Sequence, residues 1–471
     1  MQSCLESNLV DIPPALMQSL AAPGGGQVAL VIGAGCSIEP PTAIPLARTL
    51  AADAERQLVL NGRLAANQCP DPQDLAGLAT LIHQLTGGQA ELVHCFPLDR
   101  MRLARPNSGY KLMVALMAEG TIGHVLSLNF DMAVQHAAAE LGVEIVTVTA
   151  AGDPVPVRAT LVQLHGNANS NPDAMVLRAE VINGGWIGQW EQVIAQQVLG
   201  APVVLFAGLG SAAPVLSATI QMIQGALNGN KVLFQADLGE FANNGFAAQL
   251  HIPEERYIRG SWNEVLAKLA ERIAVDQLHA LSLRGAALLR ENQADQADHD
   301  RFAALVGKMT ALPLLAIGRL RAFADLDAAK LYRPHSDHDD ELITEPIVRL
   351  AALAEQLGLD AQPTPTGTWL LKRGNQPLAQ LVLASGGGVR RMAALEPRAK
   401  GVFDWIGENS PTPLDFILIG GVAPGAPSLA HVDLIADENP GDLIGGLTGP
   451  SLVSANDADY VDQIGRLLNV A

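Results

Sequence analysis

Aromatic residues make up 4% of this 471-residue chain, charged residues 17%, and cysteines number four. Each scarcity excludes something. Cys4, Cys36, Cys69 and Cys95 are scattered with no C-x-x-C pair. Neither a disulfide framework nor a zinc ribbon is expected from that pattern, which suits a reducing cytoplasm. Basic residues are outnumbered, 30 to 48, for a formal net charge of −18. Coating nucleic acid takes clustered Lys and Arg, and no long basic run exists, so direct nucleic-acid binding is not expected. The opening MQSCLESNLVDIPP has no basic segment before an apolar core and does not read as a signal peptide. The uncharged stretch Ala201 to Ile223 is interrupted by Pro202, Gly208, Gly210 and Pro214. It reads as a buried strand, a glycine turn and a helix, so no membrane association is expected.

What the chain does have is apolar mass, 49% of its residues, and 45 glycines. Its length implies two or three domains. A short amphipathic helix over 12–22 precedes a Pro-Gly-Gly-Gly breaker, and then QVALVIGAGCS runs from a β-branched segment into a Gly-rich turn. Residues 50–118 are mostly helical by spacing. Strand-like runs resume at 123–131, 143–150, 158–166, 201–211 and 230–239, with helical patterns between several of them. Val-, Ile- and Leu-rich strands alternating with helices predict an α/β, Rossmann-like, mainly parallel sheet covered on both faces. This unit is expected to occupy residues 1–275, with WNEVLAKLAERIA as its closing helix. Residues 276–345 read as a helical and acidic connector, whose HSDHDDELITE stretch reads as a solvated linker or helix edge and not a metal site. Residues 346–471 read as a smaller C-terminal α/β or α+β domain for sensing, docking or oligomerisation.

Four segments carry candidate chemistry. Gly33-Ala34-Gly35-Cys36-Ser37 follows a strand and opens a helical pattern. Glycine lets the backbone approach a pyrophosphate there, and N–H groups supply donors. Asn129-Phe130-Asp131 follows the apolar VLSL, at the sheet edge where open α/β folds bind ligands, although Asp131 also suits a helix N-cap. Leu164-His165-Gly166 ends another apolar run; His165 can exchange a proton near neutral pH and Gly166 permits close approach, or the histidine is structural. Gly208-Leu209-Gly210-Ser211 is a second Gly-rich strand end, followed by Asp237, a residue type that commonly contacts a ribose hydroxyl.

In this order, GAG-x-S, N-x-D, HG and G-x-GS over residues 25–275 resemble the sirtuin family, and Ile44-Pro45-x-x-Arg48 keeps the spacing of that family's I-P-D-F-R segment. The departures are specific. Leu46 and Ala47 replace Asp-Phe, Leu128 stands where deacylating members usually carry Gln, and residues 167–200 contain no cysteine for the usual zinc module. The pattern is similar to divergent bacterial sirtuin-like domains that hydrolyse NAD in anti-phage systems. That resemblance implies an NAD glycohydrolase with NAD as substrate and no zinc. It implies that Asp131 holds the nicotinamide carboxamide, Asn129 positions the ribose or the attacking water, and His165 is the general base. Ser37 with the Gly33 and Gly35 backbone would cradle the phosphates, with Ala34, Pro45, Arg48 and Gly166 also in the cofactor site. Gly208, Ser211 and Asp237 would line the adenosine side. A homo-oligomer is expected, with a HerA-like ATPase, an Argonaute or a signal-producing enzyme as partner. A non-catalytic NAD-binding assembly module and an NAD-dependent protein deacylase are the alternatives.

Overall fold

A computed structural model describes residues 10–21, 26–149, 152–153, 159–179, 189–210, 214–226, 232–324, 335–385, 402–403, 406, 412–420, 451–455 and 457–469. Two compact units divide the chain, residues 1–270 and residues 271–471.

The first unit is built on β1 (Val28–Ile32), VALVI, all five residues of which are buried. A strand apolar on both faces must be covered on both, which puts it inside a parallel sheet. Around it lie β2 (Ile122–Ser127), β3 (Val146–Val148), β4 (Thr160–Val162), β5 (Val203–Ala207), β6 (Val232–Asp237) and β7 (Tyr257–Arg259). The strand order is β3-β4-β2-β1-β5-β6-β7, and every pairing is parallel. Only β7, three residues long, lacks a counterpart among the strands expected from the sequence. Helices α1 (Pro14–Leu20), α2 (Ala47–Leu60), α3 (Leu75–Thr86), α4 (Ala90–Val93), α5 (Leu98–Arg102) and α6 (Ser108–Ala118) precede β2. The last five fill the expected helical insertion. Helices α7 (Ala133–Leu141), α8 (Gln189–Leu199), α9 (Pro214–Ala226) and α10 (Gly245–Gln249) follow, and α11 (Trp262–Glu291) begins in this unit. Phe206, Phe246, Leu216, Ile220 and Val198 sit in one fully apolar core cluster against the sheet.

The strand order fixes where a ligand can sit. From β1 the chain goes to β2 on one side and returns through β5 on the other. The crevice beyond the C-terminal ends of β1 and β5 is therefore the topological switch point, the place where open parallel sheets bind ligands.

The second unit contains α12 (Gln296–Lys308), α13 (Leu314–Ala324), α14 (Asp337–Leu357) and α15 (Tyr460–Leu467). Its sheet runs β12 (Ser451–Ser454), β11 (Phe416–Gly420), β10 (Gln376–Ser385), β9 (Trp369–Arg373), β8 (Asp360–Pro363). β8, β9 and β10 are antiparallel, while β10, β11 and β12 are parallel, so the sheet is mixed. Trp369 is wholly buried in it. The acidic stretch lies at a helix end, one of the two readings its sequence allows, but part of it is buried. Asp337, Asp339 and Asp340 form the first turn of α14, capped by Ser336, and Asp339 and Asp340 are buried. Acids there complement the helix N-terminus, and His335 Nε2 lies 2.9 Å from Asp340 Oδ2. The Gly-rich segment after β11 lies outside the described residues.

Candidate active site at the switch point

The two Gly-rich turns meet face to face. Gly33 N–H donates to Ala207 O (3.0 Å) and Gly35 N–H to Gly208 O (2.9 Å). Residues Ala34–Ser37 form a single 3₁₀ turn directly after β1. A Cβ on Gly35 would stand 2.6 Å from Gly208 Cα, and one on Gly208, whose φ is +65°, 2.5 Å from the Cys36 nitrogen. Backbone approach this close leaves no room for a side chain, which is the physical reason for glycine at both positions.

Behind the first turn lies a buried polar network. Ser37 Oγ donates to Asp131 Oδ2 (2.7 Å) and is 2.7 Å from the Tyr110 hydroxyl. Asn129 Nδ2 donates to Gly33 O (2.9 Å) and faces Tyr110 Oη (3.0 Å) and Ser37 Oγ (3.1 Å). Asp131 Oδ1 accepts from Ala133 N–H and so caps the start of α7. Ser37, Tyr110, Asn129 and Asp131 are all buried. Burial lifts the Asp131 carboxyl above the usual carboxylate range, opposed by the Ser37 hydroxyl and the Ala133 N–H. Burial and the Asp131 charge push the Tyr110 phenol well up, which keeps it protonated.

His165 stands on the neighbouring loop, after β4. Ala168 N–H donates to Phe130 O (2.7 Å), and the wholly buried Gln163 donates from Nε2 to Asn129 O (3.4 Å). The two loops are thus tied together, although among the described residues no hydrogen bond joins His165 to the network. Gly166 turns with φ +79°. Desolvation pushes the His165 imidazole down to about 4, so the ring is neutral at physiological pH. On the far side of this loop, Asp173 Oδ1 accepts from Gln89 N–H (2.6 Å) at the start of α4, and Gln89 Nε2 donates to Pro172 O (2.9 Å).

In front of the Gly turns opens a cavity of about 390 Å³, within the range of small-molecule pockets. Gly35, Arg48, Gly208 and Asp237 all line it, joined by Ile38, Glu39, Leu46 and Trp262. Arg48 is exposed and forms no ion pair among the described residues. Asp237 Oδ1 accepts from Gly239 N–H (2.7 Å). Glu39 Oε1 accepts from Asn263 N–H (3.4 Å), and burial raises its carboxyl.

The sequence-predicted residues therefore fall into three groups. Gly35, Arg48, Gly208 and Asp237 share the cavity. Gly33, Ser37, Asn129 and Asp131 share the network, with the Ser37 hydroxyl spent on Asp131. His165 and Gly166 occupy the adjoining loop. Ala34 is half-buried in the 3₁₀ turn, Pro45 is half-buried just before α2, and Ser211 lies outside the described residues. Sequence reasoning missed Tyr110, Glu39 and Trp262. For Tyr110 a signal existed: it is one of only four tyrosines and sits three residues after Asn107, an N-cap residue type. Among the described residues, no group of three or more His, Cys, Asp or Glu could hold a metal ion. No helix among them is long and apolar enough to cross a membrane.

No family model matches the chain, and no curated protein matches it. Among solved structures it is similar to a Sir2 homologue in complex with NAD, at 15% identity and a TM-score of 0.34, over 55% of this chain and 93% of that one. It is likewise similar to Sir2 with a p53 peptide and NAD+, at 15% identity and a TM-score of 0.33, over 56% of this chain and 100% of that one.

Proposed function

We propose that residues 1–270 bind NAD at the switch point and hydrolyse its nicotinamide–ribose bond, giving nicotinamide and ADP-ribose. One observation carries the reading. The apposed Gly35 and Gly208 turns have a nucleoside-sized cavity with Arg48 on one side, and a polar network containing Asn129 and Asp131 on the other. That is the layout needed to hold a dinucleotide across the sheet edge with its reactive ribose over Asn129.

The chemistry follows from NAD. Its glycosidic bond breaks toward an oxocarbenium-like state, and nicotinamide leaves neutral because the ring was cationic in the substrate. Water then adds to the ribose carbon and releases one proton, so the protein has only to bind, orient and accept that proton. Neutral His165 is the acceptor. Asn129 Oδ1 has no partner among the described residues and is the group that orients the ribose or the water. The oxygens of Asp131 keep lone pairs for the carboxamide N–H. Because the Ser37 hydroxyl is engaged, the phosphates are met by the backbone of the turn and by Arg48, and the adenosine ribose by Asp237.

A pH prediction follows. The base must be unprotonated, and a His165 pKa of about 4 keeps it so well below neutrality. For nicotinamide release, kcat/KM is expected to stay level from pH 8 to about 5 and to fall only on approach to 4. An acid limb centred near 6.5 in a pH–rate series would instead assign an ordinary solvated imidazole.

The motif resemblance supports a wider role as the NAD-depleting effector of bacterial anti-phage defence. Uncontrolled NAD loss is toxic, so concentration-dependent assembly into a homo-oligomer supplies the gate. Phage challenge of cells carrying the intact locus is expected to collapse NAD in the wild type and leave it intact in a His165→Ala strain.

A further inference from the structure

The network has a definite proton order. The Ser37 hydroxyl donates its single proton to Asp131 Oδ2 at 2.7 Å. Ser37 then has no proton left for Tyr110, and the 2.7 Å contact between the two hydroxyls must run from Tyr110 to Ser37. The phenol is held protonated by burial and by the Asp131 charge, which is the state that order requires. Tyr110 in turn uses its oxygen as acceptor for Asn129 Nδ2 at 3.0 Å. The chain of donors is therefore Asn129 to Tyr110 to Ser37 to Asp131, with every step one-directional.

This order fixes the Asn129 amide. Its Nδ2 face is held by Gly33 O, Tyr110 and Ser37, whereas a flipped amide would set Oδ1 against the Gly33 carbonyl. The carbonyl Oδ1 is left on the opposite side, free of partners among the described residues. Tyr110 is itself anchored. Its N–H donates to Asn107 Oδ1 (3.1 Å), Asn107 Nδ2 donates to Cys36 O (2.8 Å), and its ring meets Trp262 edge-on at 5.9 Å between centroids.

We infer that Tyr110 is a positioning residue: its hydroxyl holds the Asn129 amide and the Ser37–Asp131 pair in the one arrangement that presents Asn129 Oδ1 to the ribose of NAD. The inference rests on the NAD hydrolysis proposed above. Positioning errors of about an ångström are worth about 10²-fold in rate. Tyr110→Phe keeps the ring and its contact with Trp262 but leaves Ser37 with one donor fewer and Asn129 with one acceptor fewer.

The test compares wild type and Tyr110→Phe as full chains, with steady-state nicotinamide release and a thermal melt for each. The expected result is a kcat lower by about 10- to 100-fold with KM within about threefold. Replacing Tyr110 alone with 3,5-difluorotyrosine, an isostere with a more acidic phenol, guards against a variant that fails to fold. That protein keeps a buried, protonated hydroxyl and is expected to hold kcat within about threefold of wild type at neutral pH, where Tyr110→Phe does not. An active wild type with unchanged kcat in Tyr110→Phe, or with a fluorinated protein as slow as Tyr110→Phe, overturns the inference alone. A wild type that releases no nicotinamide overturns the inference together with the reading beneath it.

Discussion

Asn129→Ala is expected to lower nicotinamide release by about 10²- to 10³-fold, the range for removing one fixed hydrogen-bonding group from a reacting centre. The reason is local. Asn129 hydrogen-bonds the first Gly turn, through Gly33 O, and the Tyr110 and Ser37 hydroxyls at once. Alanine removes the free Oδ1 and leaves the Gly33 carbonyl without its side-chain donor. Gly33 O keeps its bond from Cys36 N–H, so losing this second one costs about 0.5–1.5 kcal/mol of stability. In a unit of this size such a loss lowers the melting temperature by about 2–4 °C per kcal/mol, so the variant remains folded at assay temperature. Activity and stability are thereby separable: circular dichroism melts report the small loss and a nicotinamide assay the large one. Asn129→Asp keeps the shape but sets a second carboxylate beside Asp131 and the Gly33 carbonyl, and it is expected to be as inactive as alanine.

Gly208→Ala is expected to damage both the fold and the ligand site. At φ +65° an L-residue carries about 1–2 kcal/mol of strain, and the added methyl would lie 2.5 Å from the Cys36 nitrogen and 2.8 Å from its Sγ. Neither neighbour can move freely, since Cys36 N–H is bonded to Gly33 O (3.0 Å) and Cys36 is wholly buried. Overpacking adds about 1–3 kcal/mol, for a total of about 3 kcal/mol. In the proposed site the displaced backbone meets the phosphates, so NAD affinity is expected to fall by at least about 100-fold, an energy of about 3 kcal/mol. Gly210 supplies the control. It lines the same cavity, yet a Cβ there meets nothing within 4 Å, so Gly210→Ala is expected to melt with the wild type. Denaturant unfolding and calorimetric titration with NAD read the two effects separately.

Much of the first unit was legible in the sequence because its strands are parallel and buried. Runs such as VALVI and VVLFA are apolar on both faces, a pattern that admits few other structures. The motifs at their ends were legible for the same reason: strand ends deliver residues to one edge, and the strand order brings Gly35 and Gly208 together. What one dimension hides is side-chain partnership. Ser37 reads as a phosphate ligand by position, and only the fold shows that its hydroxyl is taken by Asp131. Tyr110 comes from the helical insertion, and nothing in the local spacing announces that α6 lies against the Gly turn. The acidic stretch before α14 shows the converse limit. A run of aspartates reads as solvated, but helix N-termini accept acids, and Asp340 is buried beside His335. β7 escaped notice because three residues, Tyr257–Arg259, carry too little pattern to mark a strand.

The most direct test of the account is to incubate the purified full chain with NAD alone, from nanomolar to micromolar protein, and to quantify nicotinamide and ADP-ribose by chromatography. The account predicts that both accumulate in equal amounts without any acylated peptide, and that His165→Ala abolishes them. Nicotinamide that forms only when an acyl-lysine peptide is supplied, or NAD that is bound yet stays intact at every protein concentration, would contradict it.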